Sequence, residues 1–498
     1  MRERTVRQIF RRRVREATAA ADRLRVRAQT TFLRFLQAEA TGGVLLIIAT
    51  VVAMVLANSR YAEPFAALWQ NHLELRFGRF AIELTVHEWI NDGLMACFFL
   101  VVGLEIKREL LQGELASFRR AALPVLAAVG GMAAPGLIFT LVTSGTGHGR
   151  GWGIPTATDI AFTVGVMTLL GRRVPLWSKV FVTALAIADD LGAVVVIALF
   201  YSGKLVPAAL IGVVGSTLLL IGMNRLGVRR LAPYLLVGAM LWVAMLRSGV
   251  HATLAGVILG MCIPLRESRP LTDFLDTAER ALRVLRSPDR HGPGDGAEPG
   301  ADEAHSPLHH TEHKEAVLAS VLDAIFGLRS PLHRLGHALH DAVALGVLPL
   351  FALCNAGVRL PQQEAEIRAA LAQPVTAGVF FGLLVGKPLG ILIASYLAVK
   401  LRLGELPAGG TFRQLLGAAL LAGIGFTMSI FITGLAYADA DLVTSAKLGI
   451  LGGSLVSATL GALWLRFVAP ARPAPPPADP STEPGTGPGA QVPVPSTV

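Results

Sequence analysis

Charge is scarce in this chain. Only 16% of its 498 residues are Asp, Glu, Lys or Arg, against about a quarter in an ordinary soluble domain. With 53% hydrophobic residues and a mean hydropathy of +0.55, that deficit excludes a disordered chain, a fibre or a water-soluble enzyme as the main body. Cysteine is scarcer still. Cys97, Cys262 and Cys354 are odd in number and lie inside or at the ends of apolar stretches, so they read as free thiols packed as small hydrophobes and not as a disulfide framework. An apolar run near the start is also missing: the first begins near Thr41, which argues against a secretory signal. What the chain does have is a series of apolar runs close to the roughly 20 residues that span a bilayer. The expected class is an all-α polytopic membrane protein.

Twelve spans are expected, at 41–58, 87–108, 121–143, 152–171, 177–201, 205–223, 231–247, 249–265, 337–358, 374–399, 413–435 and 442–466. The net charge of +10 is uneven. Residues 1–30 hold ten arginines against Glu3, Glu16 and Asp22. A basic arm ahead of a first span holds that end in the cytoplasm, which accounts for the charge without a nucleic-acid partner. Arg119 and Arg120, Arg172 and Arg173, Arg225, Arg229 and Arg230, and Lys400 and Arg402 fall in loops on the same side. Both termini are therefore expected in the cytoplasm. Trp89, Trp152, Trp177 and Trp464 fall near span ends, as interfacial anchors do.

The organisation reads as a basic arm at 1–40, spans one to eight within 41–265, a polar insertion at 266–336, spans nine to twelve within 337–468, and a Pro-rich tail at 469–498. Residues 71–86 alternate apolar and polar about Gly78, which is a β-hairpin signature. The middle of the insertion, 287–307, is rich in Pro, Gly, Asp and His and is expected to stay disordered, as is the tail. Eight of the twelve histidines lie between His291 and His340. A metal site at His309, His310 and His313 is outweighed by a solvated low-complexity loop, since nothing there fixes a geometry. No cofactor is expected.

A charge inside a bilayer costs several kcal/mol, so each one is a functional candidate. In ALAIADDLGAVVVIALFY, Asp189 and Asp190 stand in an otherwise apolar helix. Adjacent helical positions are about 100° apart, so both can border one cavity. Two such carboxylates cannot both ionise cheaply, and they would titrate as a coupled pair. A hard cation such as Na⁺ or Li⁺ could replace the protons, and that competition is the minimum machinery of an antiporter. PTATDIAFTVG, with Pro155, Thr158 and Asp159, and GIGFTMSIF, 423–431, interrupt two spans. Non-helical backbone at that depth must be buried in protein or face water, and paired interruptions point to a mid-membrane site between inverted repeats. Two half-helix N-termini brought together would want an anion, which Asp159 supplies, and two C-termini a cation. GKPLGI adds a lone Lys387. Structural charge compensation is the other reading of Asp159 and Lys387. In the second span, Asp92 lies near one end, and Glu105, Arg108 and Glu109 crowd the other, with Glu105 and Glu109 on one face. An ordinary solvated helix end explains those three equally well. His251 could sense pH or simply pack.

Taken in order, NDGLMACFFLVVGLEIKREL, PTATDIAFTVGV, ALAIADDLGAV, SGVHATLAGVI, LPLFALCNAGV, GKPLGI and GIGFTMSIF resemble the NhaA-type sodium/proton antiporter family, over about 41–265 and 337–466. The resemblance implies twelve transmembrane helices with inverted repeats and two broken helices crossing mid-membrane. It also implies electrogenic exchange of Na⁺ or Li⁺ for protons, regulated by pH, in a bacterial plasma membrane. By the same likeness Asp190 would be the principal ion ligand and Asp189 would exchange partners with Lys387. Thr158 and Asp159 would lie at the crossing. Glu105, Arg108, Glu109 and His251 would form a cytoplasmic pH-sensing cluster, and the hairpin at 71–86 would join two copies in a homodimer. The chain departs from the family at Gly336, where the pattern has a glutamate, and in its arm, insertion and tail.

A sodium-coupled symporter of an organic solute would need a larger, more polar pocket than these spans offer. An intramembrane aspartyl protease needs carboxylates on two helices facing one water, whereas Asp189 and Asp190 are neighbours on one. A channel suits a site that switches between protons and Na⁺ less well than exchange does.

Overall fold

The computed structural model describes residues 41–78, 80–265, 331–360, 363–407 and 409–468. The arm, nearly all of the expected insertion, the histidines at 309, 310 and 313, and the tail lie outside the described residues. Among the described residues, eight helices are long and apolar enough to cross a membrane, or up to ten if each of two bent pairs counts as one span.

The first bent pair is α1 (Thr41–Ala57) with α2 (Ala62–Gln70), which turn by 114°. A hairpin follows, β1 (His72–Phe77) and β2 (Phe80–Thr85), antiparallel with Leu73 opposite Leu84 and Leu75 opposite Ile82. Gly78 turns it at φ +62°, a conformation that favours glycine. Thr85 then starts α3 (Val86–Gln112) through a capping box: the Glu88 amide donates to the Thr85 hydroxyl and the Thr85 amide to the Glu88 carboxylate.

Next come α4 (Phe118–Val142), the short turn Gly149–Thr156 and α5 (Ile160–Leu169), then α6 (Leu176–Phe200), α7 (Pro207–Arg225), α8 (Leu231–Ser248) and α9 (Leu254–Cys262). Beyond the gap lie α10 (Pro331–Asn355), α11 (Glu364–Ala372), α12 (Pro374–Lys400), the bent pair α13 (Phe412–Ala422) and α14 (Phe426–Ala436), and α15 (Ala440–Val468). The stretches expected as spans at 152–171 and 249–265 are not continuous helices: each is irregular backbone followed by a short helix. The helix of the ninth expected span already covers 331–340 at the edge of the described residues, inside or next to the expected insertion, and Leu332 and Leu335 are buried one helical turn apart on it.

Burial separates the helices. In α7 only Leu220 is buried, so a helix apolar all round faces lipid. In α6 twelve residues are buried, Asp189 and Asp190 among them, and this helix runs through the interior. α4 and α12 cross closely because glycine meets glycine: a methyl group on Gly390 would lie 2.7 Å from the Gly130 carbonyl carbon and 2.8 Å from the Ala134 methyl.

Two spans share a local device. In α10 the turn widens over Val343–Val347, and in α12 over Gly382–Gly386, and in each case one residue and then a proline follow, Leu348–Pro349 and Lys387–Pro388. Proline brings no N–H, and its ring crowds the carbonyl four residues back. Widening the turn to an i−5 bond relieves the clash. The Lys387 amide accordingly donates to the Gly382 carbonyl, five residues back.

Candidate functional site

The two interrupted spans meet in the interior. In the first, Pro155 and the extended residues Ala157–Asp159 stop the backbone, and Asp159 then caps α5, accepting from the Phe162 amide at 3.0 Å. In the second, Gly423, Ile424 and Gly425 separate α13 from α14 at a 48° bend. Hydrogen bonds stitch the two breaks together. The Asp159 amide donates to the Ile424 carbonyl at 2.7 Å. The Thr158 hydroxyl donates to the Ala422 carbonyl at 3.0 Å, and the Thr163 hydroxyl to that of Leu421 at 3.1 Å. The Ser429 hydroxyl donates to the Ile154 carbonyl at 2.7 Å.

The charges follow the half-helix ends. The Asp159 carboxylate lies between two helix N-termini: one oxygen faces the Phe162 amide of α5, while the other accepts from the Thr427 amide of α14 at 3.1 Å and from its hydroxyl at 2.5 Å. An anion there meets two positive dipole ends. Lys387, 0% exposed, donates to Asp189 at 2.6 Å and also to the carbonyl of Thr156, where the first broken segment ends. Asp159, Asp189 and Lys387 are thus each matched by a partner or a helix end, as burial requires.

The rotation of about 100° between neighbouring helical residues gives the paired aspartates different surroundings. Asp189 is turned to Lys387. Asp190 lines a cavity of about 40 Å³ together with Thr158, Asp159, Thr427, Glu105 and His340, with Phe98, Val102 and Met428 among its apolar walls. That volume holds on the order of three waters, or one partly hydrated ion. Asp189 is not among the lining residues, which corrects the expectation that both carboxylates border one cavity.

The expected pH-sensing cluster is divided. Glu105 reaches the cavity, where its carboxylate lies 3.7 Å from His340 Nδ1. Arg108 pairs with Glu109 at 3.5 Å outside the cavity. His251 is at the other end of α3, with Nε2 3.9 Å from Asp92, and its ring packs edge-on against Phe431. Thirteen residues separate Asp92 from Glu105, or about 20 Å along a helix, so a single cluster containing both His251 and Glu105 is not what the fold builds. Asp92 and its neighbour instead join a polar group at that far end: the Trp242 indole donates to the Asp92 carbonyl at 3.0 Å, and the Asn355 amide to Asn91 at 2.9 Å.

Two cavity residues escaped the sequence reading. His340 closes a histidine-rich stretch, but Leu332, Leu335 and Leu339 just before it keep helical spacing and could have revealed its helix. Thr427 lies within GIGFTMSIF and was not singled out from it.

A family model described as Na⁺/H⁺ antiporter 1 matches residues 33–465. The Na⁺/H⁺ antiporter NhaA of Sulfurimonas denitrificans is 45% identical over 441 residues, 88% of this chain and 96% of that protein. The Na⁺/H⁺ antiporter NhaA of Oleidesulfovibrio alaskensis is 46% identical over 441 residues, 89% and 94% of the two chains. The NhaA antiporter of Helicobacter pylori strain HPAG1 is 44% identical over 437 residues, 87% and 95% of the two.

Proposed function

The chain belongs to the Na⁺/H⁺ antiporter 1 family, and on that premise we propose which of its residues carry out the exchange. The protein is a multi-pass membrane Na⁺/H⁺ antiporter, a transporter and not an enzyme. Asp190 is the group that holds either a proton or the cation. The observation that carries this is its place in a small cavity beside Thr158, Asp159 and Thr427, while its neighbour Asp189 is held by Lys387. The Asp190 carboxylate and the Thr158 hydroxyl offer oxygen ligands to Na⁺ or Li⁺. Room for about three waters supports an ion and disfavours an organic solute.

Asp159 and Lys387 hold the half-helix ends together around the site. Na⁺ and protons compete for Asp190, and access alternates between the two sides. The Asp189–Lys387 pair gives the exchange a second acid group, which supports more than one proton for each monovalent cation and hence an electrogenic cycle. Glu105 and His340 stand at the cavity as the pH-responsive pair, with Arg108 and Glu109 next to it and His251 with Asp92 acting at the opposite end.

The finer architecture is twelve spans in inverted repeats, with the interrupted stretches at 149–169 and 412–436 as the corresponding broken spans. Both termini and the Glu105 end of α3 face the cytoplasm, the side favoured by Arg119, Arg120, Arg225, Arg229 and Arg230. The hairpin joins two copies. Among the described residues its strands pair only with each other, which leaves two open edges, and Leu73 and Leu75 are exposed.

The test is exchange in everted membrane vesicles. Wild-type protein should dissipate an imposed proton gradient when Na⁺ or Li⁺ is added, and Asp190→Asn should abolish that response. Wild-type exchange in Asp190→Asn would overturn the assignment.

A further inference from the structure

The broken helix α14 begins at Gly425, which has no side chain with which to cap it. Helix starts normally draw on a Ser, Thr, Asp or Asn at that position, and the first amides of a helix inside a membrane protein cannot be left to water. The acceptors come from elsewhere in the chain. The Ser454 hydroxyl on α15 accepts from the Gly425 amide at 3.2 Å and from the Phe426 amide at 3.3 Å. The next amide, of Thr427, goes to Asp159. Three consecutive N–H groups are thus divided between one neutral oxygen and one carboxylate oxygen.

We propose that Ser454 is a positioning residue for the ion site: by capping the first two amides of α14, it keeps Asp159 on Thr427 and so fixes the cavity wall that both residues form beside Asp190. The inference deepens the reading of that cavity as the Na⁺ site and rests on it. With the Ser454 hydroxyl gone, two buried amides lose their acceptor, and a buried donor without a partner is costly. The Asp159 carboxylate already accepts from the next amide of the same turn, that of Thr427, and so can be drawn to the orphaned pair. Drawn toward Gly425 and Phe426, Asp159 would leave the Thr427 hydroxyl and disturb the cavity lining. Ser454 lines no part of the cavity itself, so it acts through Asp159 and not by touching the cation.

Ser457, on the same helix three residues on, provides the comparison. Its hydroxyl is buried and has no hydrogen-bond partner among the described residues, so its loss deprives nothing of an acceptor.

The experiment measures Na⁺-dependent exchange of the full chain in proteoliposomes, with kcat and the apparent KM for Na⁺ determined separately, for Ser454→Ala, Ser454→Thr, Ser457→Ala and Asp190→Asn. The expected result is a KM raised roughly fivefold or more in Ser454→Ala, restored toward wild type in Ser454→Thr, and unchanged in Ser457→Ala. Should Ser454→Ala fail to fold, Ser454→Cys keeps the volume but offers only a weak acceptor, and the same rise in KM is expected of it. A wild-type KM in Ser454→Ala or Ser454→Cys, or an equal rise in Ser457→Ala, overturns the inference. If in the same series Asp190→Asn still abolishes exchange, the site stands and only the role of Ser454 falls; if Asp190→Asn exchanges normally, the site itself falls.

Discussion

Lys387→Ala removes an ammonium group from a place where it and Asp189, 2.6 Å apart, are 0% and 2% exposed at their side chains. The variant leaves an uncompensated carboxylate and takes a donor from the Thr156 carbonyl. Breaking a buried pair by removing one member costs about 3–5 kcal/mol. At about 2 °C for each kcal/mol, the lower end for large domains, the midpoint of thermal unfolding in detergent should fall by about 6–10 °C. A second variant isolates the charge from the lost packing. Lys387→Ala combined with Asp189→Asn leaves no ion behind, and it should recover most of the loss, because removing both partners is far milder than removing one. The pH dependence has a definite sign. A lone carboxylate is destabilising only when ionised, so the deficit of the single variant relative to wild type should shrink as pH falls and grow as pH rises. A single variant within about 2 °C of wild type, or a double variant no more stable than the single one, would refute the claim that Lys387 and Asp189 form a buried ion pair.

Pro388→Ala tests the widened turn. With the clash gone the helix can return to i−4 bonding, which rotates Lys387 by about 100° relative to the preceding half of α12. Exchange should fall about tenfold or more, and the thermal midpoint should drop toward that of Lys387→Ala; wild-type behaviour in both would show that proline does not set the position of the lysine. His340→Gln tests the pair at the cavity. It removes the imidazole facing Glu105, the side-chain type whose ordinary charge change falls between about pH 5 and 8, so the pH dependence of exchange over that range should flatten. An unaltered profile would set His340 aside.

The place where the intramembrane charges gather, which is the proposed site, could be read from energetics. Charge is so costly in lipid that Asp159, Asp189, Asp190 and Lys387 identify themselves in the sequence, and all four are buried where the two interrupted spans meet. The dipole argument also held for particular atoms: Asp159 lies at two helix N-termini, and Lys387 at the carbonyl that ends a broken segment. What the residues alone could not supply was the rotation of α6. Alternation by 100° says that Asp189 and Asp190 differ in direction, but which of them meets Lys387 and which the cavity depends on how α6 packs against α4 and α5. The capping of α14 by Ser454 was hidden for a similar reason, since a serine 29 residues away from Gly425 in the chain becomes its cap only once α15 is in place.

His251 is a different kind of case, because the sequence did contain the answer. If successive spans cross in alternate directions, the start of the second and the start of the eighth lie on one side, so Asp92 and His251 belong together and Glu105 belongs opposite. The structure has His251 3.9 Å from Asp92. Grouping His251 with Glu105 followed the family resemblance against the chain's own topology. The same alternation gives the polar group at the far end a physical consequence. Asn355 holds Asn91 there, and Trp242 holds Asp92, while the cavity beside Asp190 lies at the Glu105 end of α3. A site that alternates its access must loosen whichever end is tied. The Asn91–Asn355 bond ties α3 to α10 at the Asp92 end, so Asn355→Ala is expected to shift the apparent KM for Na⁺ in proteoliposome exchange, and an unchanged KM would show that this tie does not bear on access.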